Sequence, residues 1–262
     1  MGKSINEIKN TLKILDESQK QNYIEELMTD EREGVKKIVE SYEKQKQKQE
    51  KEINRIKGMI TFDQDSITPG QIVAGVDEVG RGPLAGPVVA ACVVIDSSMV
   101  IEGVNDSKKL TQEKREYLYD IIVQNSLYCS IGMIENDVID KINILNATFL
   151  AMTSAINFVS KELKNDGKAI DLILVDGNQK IRDLDIKQQT VIGGDGISYA
   201  IACASIVAKV YRDRLMEKYD QKYPGYDFAS NKGYGTSAHY DGLNNLGFTP
   251  IHRKSFCKSY FE

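Results

Sequence analysis

The segment Val88-Val89-Ala90-Ala91-Cys92-Val93-Val94-Ile95 is apolar at every position. Successive side chains of a strand point to opposite faces. A strand of this composition must therefore be covered on both sides, which requires helices above and below a sheet. The flanking sequence supplies the parts. Residues 72–76, 127–134, 172–175 and 188–192 read as further strands. A helical pattern begins near Thr111 and carries Leu118, Ile121 and Ile122; a longer one carries Leu145, Phe149, Met152, Ile156, Val159 and Leu163; a third spans about 198–219. Strands alternating with helices predict an α/β domain, and tight connections between some strands predict a mixed sheet flanked by helices.

The chain before this domain has a different texture. Ser4-Ile5-Asn6-Glu7 fits a capping box. Ile5, Ile8, Leu12 and Leu15 follow on one helical face, Ile24, Leu27 and Met28 suit a second helix, and Val35, Ile38, Val39 and Tyr42 suit a third that begins near Asp30. The run Glu43-Lys44-Gln45-Lys46-Gln47-Lys48-Gln49-Glu50-Lys51 is wholly polar and reads as a solvated helical face or linker. Residues 1–60 are expected to form a small helical extension, 61–70 a linker, and 71–262 the α/β domain with a helical C-terminal segment.

No apolar run approaches the roughly 20 residues of a membrane helix, and the N-terminus is charged without an apolar signal core. A cytoplasmic protein without membrane contact, and a monomer, is expected. Cys92, Cys129, Cys203 and Cys257 are widely spaced and only His239 and His252 are present, so zinc is disfavoured and reduced, buried thiols are expected. The net charge of −4 does not advertise a nucleic-acid partner, yet a carboxylate-rich site can coexist with a basic groove.

The acids carry the chemistry. Asp77-Glu78 closes the first strand, Asp176 closes the fourth, and Asp195 follows the fifth within Gly193-Gly194-Asp195-Gly196. Strand ends are where α/β sheets place their sites. Any one of these residues alone is an ordinary turn former or helix cap. If the strands are neighbours, however, the carboxylates converge. Two carboxylates about 4 Å apart repel by roughly 4 kcal/mol at an effective dielectric of 20. Lys, Arg or a metal must then balance them, and an all-oxygen pocket selects Mg²⁺ or Mn²⁺. Gly80-Arg81-Gly82-Pro83-Leu84-Ala85-Gly86-Pro87 follows directly. Its glycines permit close backbone approach to a ligand and Arg81 offers a fork for phosphate. A dinucleotide loop is the rival, but the spacing is not G-x-G-x-x-G, Pro83 lacks an amide donor and no helix start follows.

Gly75-Val76-Asp77-Glu78-Val79-Gly80-Arg81-Gly82-Pro83-Leu84-Ala85-Gly86-Pro87 closely resembles the opening motif of the ribonuclease HII family. Further matches follow in order: Asn105-Asp106-Ser107-Lys108-Lys109-Leu110, Val175-Asp176-Gly177, Gly194-Asp195, Ala204-Ser205-Ile206-Val207-Ala208-Lys209-Val210-Tyr211-Arg212-Asp213, Lys232-Gly233-Tyr234-Gly235-Thr236 with His239, and Thr249-Pro250-Ile251-His252-Arg253-Lys254. The resemblance covers about 71–257. It implies a ribonuclease H-like fold, and two divalent ions held by Asp77, Glu78, Asp176 and Asp195. It implies that Gly80, Arg81 and Gly82 line the ribonucleotide 2′-hydroxyl and the scissile phosphate, and that Tyr234 stacks on the next sugar. The implied substrates are RNA–DNA hybrids and DNA with embedded ribonucleotides. Cutting is 5′ of the ribonucleotide and leaves 3′-hydroxyl and 5′-phosphate ends, with roles in ribonucleotide removal and primer clearance.

In that context Lys108 and Lys109 are candidate phosphate contacts. Ser205 and Lys209, four apart on one helical face, are candidate groove residues, and Lys209 could instead neutralise an acid. His239 reads as structural or functional. His252-Arg253-Lys254 is a basic patch, either touching backbone or solvated. The rivals are a ribonuclease HIII-type hybrid nuclease, which departs from the Gly80-Arg81-Gly82 motif, and a non-catalytic hybrid-binding module, which would lose the acids.

Overall fold

A computed structural model describes residues 3–96 and 98–257. The chain clusters into two units, Met1–Arg55 and Ile56–Glu262.

The first unit is helical: α1 (Ile5–Ile14), α2 (Glu17–Leu27) and the greater part of α3 (Glu33–Asp65). Reciprocal capping boxes start α1 (Ser4 with Glu7) and α2 (Asp16 with Gln19) and satisfy amide donors that a helix start leaves free. Ile8, Ile24, Leu27 and Val35 form its buried core. The polar run 43–51 lies inside α3 and is largely exposed.

Helix α3 continues to Asp65, into the stretch expected as linker. Its last turns have packing partners. Ile56, Met59 and Ile60 are buried against the sheet of the second unit. Asp63, 5% exposed, accepts the Ala200 amide at 2.8 Å and so caps a later helix.

The second unit is built on β1 (Val73–Val79), β2 (Val88–Ile95), β3 (Ser126–Ile134), β4 (Leu172–Asp176) and β5 (Gln188–Val191), in the order β3-β2-β1-β4-β5. The sheet is mixed. β2 runs antiparallel to both neighbours, whereas β1 with β4, and β4 with β5, are parallel. Helices α4 (Gln112–Asn125), α5 (Asn136–Ile142), α6 (Ile144–Asn165) and α7 (Tyr199–Lys222) flank it, and short helices α8 (Phe228–Asn231) and α9 (Ser237–Leu246) complete the C-terminal segment.

The all-apolar strand does what its composition demands. Val88, Ala90, Cys92 and Val94 pack with Met152, Ile156 and Val159 of α6. Val89, Ala91 and Val93 pack on the other face with Leu118 of α4 and Cys203 and Val207 of α7. Such two-sided burial contributes about 1.5–3 kcal/mol per large side chain. Thr111 and Ser198 cap α4 and α7 through side-chain oxygens. All four cysteines are free thiols, three buried and Cys129 half-buried. Among the described residues no helix is long and apolar enough to cross a membrane.

Candidate active site

The sheet brings the acids together. In the parallel pair, Val76 lies opposite Val175, so Asp77 and Asp176 stand one residue further along both strands. Asp176 pairs in register with Val191 at the end of β5, and Asp195 follows in a single 3₁₀ turn, Gly194–Gly196. Asp77 is 5% and Asp195 8% exposed. The Gly194 amide donates to Asp176 Oδ1 at 2.7 Å and ties the turn to the strand end.

Asp77, its neighbour Glu78 and Asp195 are each destabilised as anions. Burial raises the pKa of Asp77 well above the carboxylate range, and the charges of Glu78 and Asp176 add to it. Glu78 is raised by burial; Arg81 opposes the rise and Asp176 reinforces it. Asp195 is raised by burial and then by Asp106 and Asp176. Opposing charge is sparse. Arg81 Nη1 lies 3.2 Å from Glu78 Oε1, and the well-exposed Lys108 reaches only to 4.0 Å from Asp195 Oδ2. Burial works against the charge on Lys108, but Asp195, Asp77, Asp106 and Asp176 together raise its pKa.

The donor set therefore suits a hard divalent ion: oxygen ligands only, buried or half-buried, with excess negative charge. As the side chains stand, no three carboxylate, imidazole or thiol groups among the described residues are close enough to hold one ion. Each acid has its own protein partner. Glu78 turns to Arg81, Asp176 accepts from Gly194, and Asp195 bonds to Asp106.

Other sequence candidates fall in different places. Ser205 is 5% exposed; its hydroxyl lies 2.9 Å from Ser107 Oγ and bonds to Asp77. It is almost wholly buried and packed against the acid. Lys209 neutralises an acid, but that acid is Asp213, with Nζ 2.7 Å from Oδ1, and not the strand-end group. Lys109 is exposed and lies 3.7 Å from Asp106. Of the basic patch only Lys254 is at the surface; His252 and Arg253 are 2% and 0% exposed.

Asp106 carried no role in the sequence reading. It caps the 3₁₀ turn Ser107–Lys109 by accepting the Lys108 amide at 2.9 Å and meets Asp195. Its position three residues before Lys109, opening a short turn, was the available signal.

The glycine loop and Tyr234 form the adjoining wall. Arg81 and Gly82 are exposed, and a Cβ on Gly82 would come within 3.3 Å of the Tyr234 ring. Tyr234 is itself 46% exposed. Beneath it, two histidines form a directed chain. The Thr249 amide donates to His252 Nδ1 at 2.9 Å. That leaves the proton on His252 Nε2, which lies 3.0 Å from His239 Nε2, and His239 Nδ1 donates to the Tyr234 carbonyl at 3.0 Å. Burial lowers the pKa of both rings, that of His252 to about 4.

Comparison with known proteins now decides the family. The ribonuclease HII family model matches residues 74–259, and the ribonuclease HII N-terminal domain model matches residues 4–66. The chain belongs to the ribonuclease HII family. Ribonuclease HII of Clostridioides difficile is 45% identical over 258 residues, 98% of both chains. The crystal structure of ribonuclease H2 from Pyrococcus horikoshii superposes with a TM-score of 0.59 at 28% identity, covering 72% of this chain and 96% of that one. The ribonuclease HII in the PCNA complex from Archaeoglobus fulgidus gives 0.56 at 25%, covering 70% and 93%. The fold is ribonuclease H-like, and the chain is a ribonuclease H enzyme that hydrolyses RNA in RNA–DNA hybrids. Membership in ribonuclease HII sets aside the HIII-type and non-catalytic readings.

Proposed function

We propose that this family member cuts on the 5′ side of ribonucleotides in hybrids and of single ribonucleotides embedded in DNA, using two divalent ions. The observation that carries the reading is the convergence of strand-end acids in register, with Asp77, Glu78 and Asp195 each raised above its ordinary pKa by burial and by neighbouring acids, and with only Arg81 and Lys108 among the described residues nearby in opposition. Asp77, Glu78, Asp176 and Asp195 would hold Mg²⁺ or Mn²⁺. Bound there, the ions supply Lewis acidity for in-line displacement at phosphorus. Water adds to the phosphorus and the 3′-oxygen of the preceding nucleotide leaves, giving 3′-hydroxyl and 5′-phosphate ends.

The protein's own share is positioning. Gly80, Arg81 and Gly82 meet the 2′-hydroxyl and the phosphate, the feature by which RNA differs from DNA. Tyr234 packs on the following sugar and favours one without the extra hydroxyl. Lys108, and with it Lys109, contacts backbone phosphate. Ser205 orients Asp77. Ribonucleotide removal from DNA and primer clearance in the cytoplasm follow from this specificity.

The test is a duplex with one embedded ribonucleotide assayed beside an all-RNA strand on DNA. The parent cuts both in Mg²⁺, whereas Asp77→Asn and Asp176→Asn bind them without cutting. Normal cutting by either variant contradicts the assigned roles.

A further inference from the structure

Two guanidinium groups lie fully buried next to the glycine loop, and neither has a carboxylate as its hydrogen-bond partner. Arg212 and Arg253 are each 0% exposed. Arg253 donates to Gly86 O at 2.9 Å, Arg81 O at 2.9 Å and Gly80 O at 2.6 Å. Arg212 donates to Pro87 O at 3.0 Å, Ala85 O at 3.2 Å and Lys232 O at 2.9 Å. Five of these six acceptors belong to the loop 80–87, and the sixth opens the segment that carries Tyr234. The chain around Arg253 is fixed in turn, because its amide donates to Leu84 O at 2.8 Å and Ile251 O accepts from the Gly86 amide at 2.9 Å.

The geometry of the peptide unit makes this consequential. A trans peptide points its carbonyl and its N–H to opposite sides, and no cis bond occurs among the described residues. The carbonyls of Gly80 and Arg81 face the Arg253 guanidinium. The N–H groups in the same two peptide units, those of Arg81 and Gly82, therefore face the other way. Both residues are exposed, and among the described residues neither amide donates to another backbone group. Gly80 fits no other side chain: its φ is +89°, and a Cβ would fall 2.2 Å from Arg212 Nε.

Burying two charges is expensive unless hydrogen bonds satisfy their protons, as six carbonyls do here. Here the charge also acts through the chain. A cation bonded to a carbonyl polarises that peptide and strengthens its opposite N–H as a donor. The same job done by apolar side chains would leave the carbonyls unsatisfied and the loop free to turn.

We infer that Arg212 and Arg253 are positioning residues for ribonucleotide recognition, holding the glycine-loop carbonyls inward so that the Arg81 and Gly82 amides are presented, polarised, to the 2′-hydroxyl and phosphate of the substrate. The inference rests on the proposed reading of that loop. Neither arginine touches substrate. Lysine keeps the charge but cannot span three carbonyls in one plane.

The experiment uses the full chain carrying Asp77→Asn, in Mg²⁺, and compares the Kd for a duplex with one embedded ribonucleotide to that for the all-DNA duplex. The ratio is insensitive to the folded fraction, because misfolded protein weakens both values equally. With both arginines intact the ribonucleotide duplex binds more tightly. Adding Arg253→Lys or Arg212→Lys is expected to cut that preference about tenfold while the all-DNA Kd stays within about twofold. Ile156→Val, in the core on the opposite face of the sheet, is expected to leave the ratio alone. A preference that survives both lysine variants overturns the inference and spares the function. Absence of any preference before the arginines are changed overturns both.

Discussion

The floor and the wall of the proposed active site are held in opposite ways. The floor, made of Asp77, Glu78, Asp176 and Asp195, is fixed by strand ends and short turns and brings together more acid than base. The wall, made of the glycine loop and Tyr234, is finished: six carbonyls are satisfied by two buried arginines and one by a histidine. The contrast teaches where each part gets its order. On the proposed reading the floor takes its cations from outside the protein. The wall carries its cations within and is ready before the substrate arrives.

The largest effect expected from this contrast is on the floor. Asp176→Asn or Asp77→Asn should lower cleavage of a single-ribonucleotide duplex by about 10³-fold or more, since the electrostatic term usually dominates such sites. In EDTA the same variants should melt at or above the parent temperature, because a repelling charge has gone. A lower melting temperature in EDTA together with intact cleavage would break the comparison.

The wall should respond in specificity. Tyr234→Ala removes the exposed ring beside Gly82. Burying a ring of this size against the sugar contributes about 1.5–3 kcal/mol, so kcat/KM at an RNA–DNA junction should fall about 10–100-fold. Thermal stability should barely change, since the ring is half exposed. An unchanged junction preference would show that the ring does not meet the substrate.

Beneath the wall the effect is one of pH. Burial depresses the pKa of His252 from 6.5 to about 4, and His239 is lowered as well. Between those values the unfolded chain binds protons that the folded chain refuses, so stability rises with pH in this window. It is fully present above about 6.5 and is lost as pH falls toward 4. At about 1.4 kcal/mol per unit, His252 accounts for roughly 3 kcal/mol. The acid limb of a denaturation profile should flatten by about that much in a His252→Gln variant. An identical limb would contradict the neutral relay.

The smallest effect is expected from the helical extension, which belongs to neither part. A chain starting at residue 56 keeps Ile56, Met59 and Ile60 in the core and should retain kcat, with affinity for duplex falling a few-fold as Lys44, Lys46, Lys48 and Lys51 are lost. A chain starting at 61 discards those three buried side chains. At about 1.5–3 kcal/mol each it should be severely destabilised. Equal stability of the two truncations would refute the place given to the last turns of α3.

The sequence made the sheet readable because a strand such as Val88–Ile95 leaves only one physical solution. Strand-end acids were readable for a related reason: a carboxylate at the close of an apolar run stands out against it. The boundary of α3 was not readable, since Phe62-Asp63-Gln64-Asp65 has no strong helical signal and is held by a tertiary cap on α7. Ser205 and Lys209 were rightly placed on one helix, but which neighbour each meets depends on Ser107, Asp77 and Asp213, and two of those lie far away in sequence. Arg212, Arg253 and the two histidines were hidden most deeply. Charged and polar residues are usually solvated, and only the packed loop reveals why these are buried.

Manganese titration of the full-length protein, by calorimetry or paramagnetic resonance, reaches the central claim most directly. The parent should bind the ion, and Asp77→Asn, Glu78→Gln, Asp176→Asn and Asp195→Asn should each weaken that binding tenfold or more while the fold stays intact. Binding that is absent from the parent, or equal in all four variants, would mean that these oxygens do not share a metal.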